Sequence, residues 1–384
     1  MGIKFLLNGK IAKDVESKKR VIYYWGRVDR NYRSFRSIFS DRTQKRMDEA
    51  MSKNSIIDFR ENYQNGQILS NVSYFNDGVN TETGKCIFRL SLGTKVADNV
   101  VKHELWHLCM RPQKEDRIQY KQDRVVTFHG CQRITEESKE KIDKGEAKDG
   151  DVIGYGSGLE EGMANITSIL ATIKEKAVFY ENGEVRYKKN ILDLAEKYME
   201  TGVIDPRLGI NRGHYQVYED IARLLIMVSR NDYKQEKSFA RVLAKKGEGI
   251  DGWIEHPVNK PYSSFIYSNV NADTNFEREW NTFAERREAN GFKCNNYMTI
   301  NCALDSMKEK IIKGGTNALS EVEKNDIAYI INNLIGEFYK DKLERLQKER
   351  FISKEKKSEL LEKFEKSASI IISNMKPNIR DGRE

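Results

Sequence analysis

Apolar residues fall along this chain in two rhythms. Early on they come as short bursts between turn residues: VIYYW at 21–25, IIDF at 56–59 and QILSNVSYF at 67–75, the last running into Asn76, Asp77 and Gly78. Such bursts predict short strands with connecting helices. At 84–93, GKCIFRLSLG alternates, with Ile87, Arg89 and Ser91 set against Phe88, Leu90 and Leu92 between flanking glycines. A period of two is the signature of a strand. The rhythm then changes. Thr94 can cap a helix in which Ala97, Val101, Leu105 and Leu108 recur at helical spacing until Pro112 arrests it.

Between 111 and 158 charge and glycine dominate, with an extended-looking patch VVTFHGC at 125–131, and this stretch reads as a long excursion between helices. A second helix is predicted from near Leu159, with Leu159, Met163, Ile166 and Leu170 on one stripe. A third is predicted over about 214–228, carrying Val217, Ile221, Leu224 and Val228. Residues 233–303 hold a basic helix and then an irregular stretch with Pro257 and Pro261. The final segment, including DIAYIINNLIGEF at 326–338, is helical with many Glu/Lys pairs and no internal repeat. The expected organisation is α+β: an N-terminal α/β part (1–94), a helical middle part (95–232) and a mainly helical C-terminal region (233–384).

Composition narrows the class. In 384 residues, 39% are hydrophobic and 32% charged, enough apolar material for a large core. No uncharged apolar run approaches membrane-spanning length, and the start lacks a secretory pattern, so a soluble cytoplasmic chain is expected, with export lacking a typical signal left open. Cys86, Cys109, Cys131, Cys294 and Cys302 are scattered without a C-x-x-C pair, which argues against a disulfide framework and a cysteine-built zinc finger. The net charge of +8 is spread among interspersed acids. It reads as a solvated surface and argues against nucleic acid as a partner.

The segment VKHELWHLCM at 101–110 contains an H-E-x-x-H pattern filled by His103, Glu104 and His107. Histidines four apart on a helix share one face and can present two imidazole nitrogens to one metal ion. Glu104, a third of a turn away, is placed to reach a metal-bound water without becoming a ligand. A catalytic zinc site needs one more protein ligand. At 158–168, GLEEGMANITS places Glu161 and Asn165 together, opposite the apolar stripe, and Gly162 beside Glu161 permits close approach of another helix.

HELWH followed downstream by a Glu-Gly pair on a helix resembles the gluzincin group of zinc metallopeptidases. The resemblance covers about 85–220. It implies a zincin-like core with Zn2+ held by His103, His107 and Glu161, Glu104 as general base, and Asn165 hydrogen-bonded to a zinc histidine where the family often carries an acid. It also implies that the strand before the first motif is an edge strand able to pair with an extended peptide. Glu160 competes for the third ligand position, and His129 is a remote substitute.

Under this resemblance the chain is a zinc metallopeptidase acting on a peptide or protein. An oxyanion donor is then required. RGHYQVYED at 212–220 offers Tyr215 first, ahead of His214 and Tyr218, with Tyr155 as a further candidate. The glycine-rich GYGSG at 154–158 lacks phosphate-loop spacing and reads as a flexible lead-in to the ligand helix. Trp106 is expected to pack against the sheet, and Cys109 to be a small core residue. The alternative is a zincin-like protein whose catalysis has lapsed and which serves as a binding or scaffold module.

Overall fold

The burst at 21–25 is helical in the computed structural model, which describes residues 3–52, 55–61, 63–64, 67–68, 74–79, 86–109, 117–121, 124–127, 133–134, 136–148, 154–229, 239–244, 250, 282–283, 285–286, 289 and 303–375. It lies inside the helix Val15–Arg36, whose buried positions Val21, Val28, Asn31, Tyr32 and Phe35 follow helical spacing over four turns, a period that five residues are too few to display. The Asp14 carboxylate caps this helix by accepting from the Ser17 N–H at 2.8 Å.

A four-stranded sheet follows the order Lys4–Leu7, Ser55–Arg60, Cys86–Gly93, Tyr74–Val79. The first three strands are parallel, with Ile57 opposite Leu90, and Tyr74–Val79 runs antiparallel to Cys86–Gly93. The alternating segment is therefore a strand, but an interior one. Its backbone is bonded on both sides, which corrects the edge-strand expectation: among the described residues the edge beside it is Tyr74–Val79. Alternation reports how a strand's two faces differ and carries no information on whether both of its ladders are paired.

The motif helix spans Asp98–Cys109 and starts later than a Thr94 cap implies. Thr94 is tied to the sheet, its N–H and hydroxyl both donating to the Arg60 carbonyl, and the Ala97 carbonyl takes the first helical bonds from Val100 and Val101. Against this helix lies the central helix Ser157–Ala177. Contacts with Val15–Arg36, Asp98–Cys109, Lys189–Thr201 and Gln216–Ser229 bury it nearly all round, so the face opposite its apolar stripe is covered as well. Lys102, fully buried on the motif helix, donates to Asn31 at 2.8 Å and Glu175 at 2.7 Å, bolting three helices together.

Among the described residues the C-terminal region is helical over Lys308–Gly314, Glu321–Tyr329, a π-helical turn Ile330–Ile335, Gly336–Lys348 and Lys354–Met375. The apolar core draws on all three sequence segments, from Phe35 and Leu90 through Trp106, Leu170 and Ile221 to Ile331, Phe338 and Ile371. The fold is mixed α+β, mostly helical with a small sheet. No described helix is long and apolar enough to cross a membrane. Part of the patch at 125–131 pairs as a hairpin, Arg124–Thr127 with Arg117–Lys121, while His129, Cys131, Pro257 and Pro261 lie outside the described residues.

Candidate metal centre

The motif helix and the central helix cross where His103, His107 and Glu161 face one another. His103 Nε2 is 3.1 Å from Glu161 Oε2, His107 Nε2 is 3.3 Å from the same oxygen, and the two Nε2 atoms are 3.3 Å apart. Three ligand atoms each about 2.0–2.1 Å from one ion in tetrahedral geometry stand about 3.3–3.4 Å from one another. The triangle has that size, and its two nitrogens and one carboxylate oxygen are a donor set that could hold a divalent metal ion.

Each histidine is steered from its far side. His103 Nδ1 meets Asn165 Oδ1 at 2.8 Å, and the amide's orientation is fixed because its Nδ2 donates to the Arg212 carbonyl at 3.0 Å and to Glu219 at 3.4 Å. The proton of neutral His103 therefore sits on Nδ1 and its Nε2 lone pair points into the triangle. Beside His107, Glu160 Oε1 stands 3.6 Å from Nδ1 and accepts the Trp106 indole N–H at 2.6 Å. Glu160 thus occupies the back of His107, away from the convergence point. Burial opposes a charge on His107, but Glu161 and Glu160 outweigh it and hold the imidazole well above its ordinary range. Against the same burial, His107 and His103 hold Glu161 well below the usual carboxylate range.

No known family model, curated protein or solved structure matches the chain.

Glu104 is buried beside the triangle, and burial raises its carboxyl pKa while the charges of His103 and His107 pull it down. Tyr215 stacks on His103 with ring centroids 5.3 Å apart and planes 18° from parallel. Burial, then the charges of Glu161 and Glu104, raise its phenol pKa, so the hydroxyl keeps its proton. Tyr218 is fully buried, its hydroxyl donating to the Leu304 carbonyl at 3.4 Å, and His214 is exposed. Tyr155 pairs through its backbone with Arg133, and its side chain lies outside what the structure describes. Trp106 is fully buried with its ring on Phe39, and Cys109 is buried.

Several contributors were invisible in the sequence. Asp305 accepts from the Gly156 N–H at 2.8 Å, the Ser157 hydroxyl at 3.2 Å and the Gly158 N–H at 2.9 Å. It caps the central helix from 148 residues away, so the glycine-rich lead-in is a pinned turn with Gly156 at φ +94°. Arg212 holds Glu219 at 2.6 Å and 3.2 Å behind Asn165, and Tyr198 donates to the same carboxylate at 2.8 Å. Gly162 does permit close approach: a Cβ there would lie 2.5 Å from the Tyr218 carbonyl oxygen on the helix Gln216–Ser229. Lys308 places its ammonium 3.9 Å from Glu161 Oε1, the oxygen turned away from the imidazoles.

Proposed function

We propose that the chain is a zinc-dependent metallopeptidase that hydrolyses peptide bonds, with His103, His107 and Glu161 holding the metal and Glu104 acting as general base. The observation that carries this reading is the triangle of His103 Nε2, His107 Nε2 and Glu161 Oε2, sized for one tetrahedral ion and backed on both histidines by fixed partners. When bound, zinc supplies a Lewis acid and a water whose pKa falls toward neutrality.

The protein's own groups divide the remaining work. Asn165 keeps the His103 ring in the tautomer that presents Nε2 outward. Glu104, its proton affinity raised by burial, is matched to accept a proton from water and return it to the leaving amine. Tyr215, neutral and stacked on His103, is the candidate donor to the oxyanion. The test is hydrolysis of a mixed peptide library by zinc-loaded protein and by Glu104→Gln. Retained zinc with turnover reduced by about 10²–10⁴-fold is the expected result. Full activity in a metal-free preparation, or Glu104→Gln cleaving like the unaltered protein, defeats the proposal.

A further inference from the structure

The C-terminal region does more than cover the core: it delivers a cation beside the centre. Lys308 is about one-third exposed, and among the described residues its ammonium has Glu161 Oε1 as its ion-pair partner at 3.9 Å. That separation is too long for a hydrogen bond. Its backbone is nonetheless firmly placed. Asp305, one turn earlier, is bound to Gly156, Ser157 and Gly158, the Leu304 carbonyl accepts from Tyr218, and Leu304 and Met307 are buried. Arg212, another cation near Asn165 among the described residues, is committed to Glu219 and Asp220.

We propose that Lys308 is the anion-binding residue beside the metal centre and that the substrate is a peptide presenting a carboxylate beside the scissile bond. This rests on the peptidase reading. With Glu161's charge directed at a metal ion, the one-third-exposed Lys308 ammonium beside Glu161 Oε1 keeps its three donors for an incoming anion. A free C-terminal carboxylate and an acidic side chain next to the cleaved bond offer the same chemistry. A loose, half-hydrated lysine of this kind discriminates by charge more than by shape.

The experiment separates these sources without needing turnover. Zinc-loaded Glu104→Gln protein is titrated calorimetrically with tripeptides of one sequence ending in a free acid, in an amide, or in aspartate amide. The free acid or the aspartate amide is expected to bind about tenfold more tightly than the plain amide, the free acid marking a carboxypeptidase-like preference. Lys308→Met in the same background is expected to erase that difference while zinc content and plain-amide affinity stay unchanged. Equal affinity for all three peptides, absence of binding to zinc-loaded protein, or an equal loss for all three in Lys308→Met overturns the assignment of Lys308 and leaves the metal centre standing. Loss of zinc from Lys308→Met shows a charge-balancing role for Glu161 instead, and also overturns it. Failure of the unaltered protein to take up zinc removes both proposals.

Discussion

Asn165→Asp is a substitution whose direction the geometry decides against chemical intuition. A carboxylate is the stronger acceptor for a ligand histidine and raises its basicity, so an aspartate at this position should improve the site. The surroundings of the amide say otherwise. His103 Nδ1 already meets Oδ1 at 2.8 Å, so that contact is not new. The other terminus is a donor, 3.0 Å from the Arg212 carbonyl oxygen and 3.4 Å from Glu219 Oε2, in a side chain only 4% exposed. Aspartate replaces that N–H by an oxygen facing two acceptors.

Losing one buried hydrogen bond costs about 1 kcal/mol, and leaving a buried carbonyl unmatched against a like partner costs about 1–3 kcal/mol more. Asn165→Asp is therefore expected to lower stability by about 2–4 kcal/mol at neutral pH. Protonation converts the new oxygen into a donor, so the folded-state pKa of the introduced carboxyl lies above its unfolded value. The deficit is then full at neutral pH and shrinks as pH falls toward the ordinary carboxylate range. Urea unfolding of metal-free wild type and variant across this range reads both effects. An Asn165→Asp protein as stable as wild type at pH 7 refutes the reasoning.

Gly162→Ala drives a methyl to 2.5 Å from the Tyr218 carbonyl oxygen, so the central helix and the helix Gln216–Ser229 must separate. A loss of about 1–3 kcal/mol in chemical denaturation is expected, and an unchanged midpoint contradicts it. Asp305→Ala removes the cap on the Gly156 and Gly158 amides and is expected to cost about 1–2 kcal/mol by the same measurement. Lys174 is buried, donates to the Ser37 carbonyl at 2.6 Å, and has its pKa pulled from 10.5 down to about 8 by burial. Between those values the unfolded chain binds more protons, so stability rises with pH through this window, by up to about 3 kcal/mol. Comparing unfolding free energies of wild type and Lys174→Met from about pH 7.5 to 10.5 checks this: the rise belongs to wild type alone, and parallel curves contradict it.

The elements of the centre that were legible share one property, short sequence spacing on a helix. His103 and His107 are four apart, and so are Glu161 and Asn165, so helical geometry alone places each pair on one face. Gly162 marked the close approach of another helix without naming it, and that helix is Gln216–Ser229; the crossing of the motif helix with the central helix had no mark in the sequence. Glu160 illustrates the limit. Its angular offset from Glu161 was readable, but its destination behind His107, on the Trp106 indole, depends on where the motif helix lies. Asp305, Lys308 and Arg212 come from segments brought in by tertiary packing, with no local pattern to mark them. The same holds for the sheet: alternation at 86–93 announced a strand, while its interior place depends on Ser55–Arg60 and Tyr74–Val79 pairing on either side.

Zinc content per chain is the most direct measurement. After equilibration in zinc buffer and removal of loose metal, elemental analysis of the purified protein is expected to give one zinc per chain, and little or none in His103→Ala or Glu161→Ala that remain folded by circular dichroism. A wild-type protein that holds no zinc, or variants that both hold it as tightly as wild type, contradicts a centre built from these three side chains.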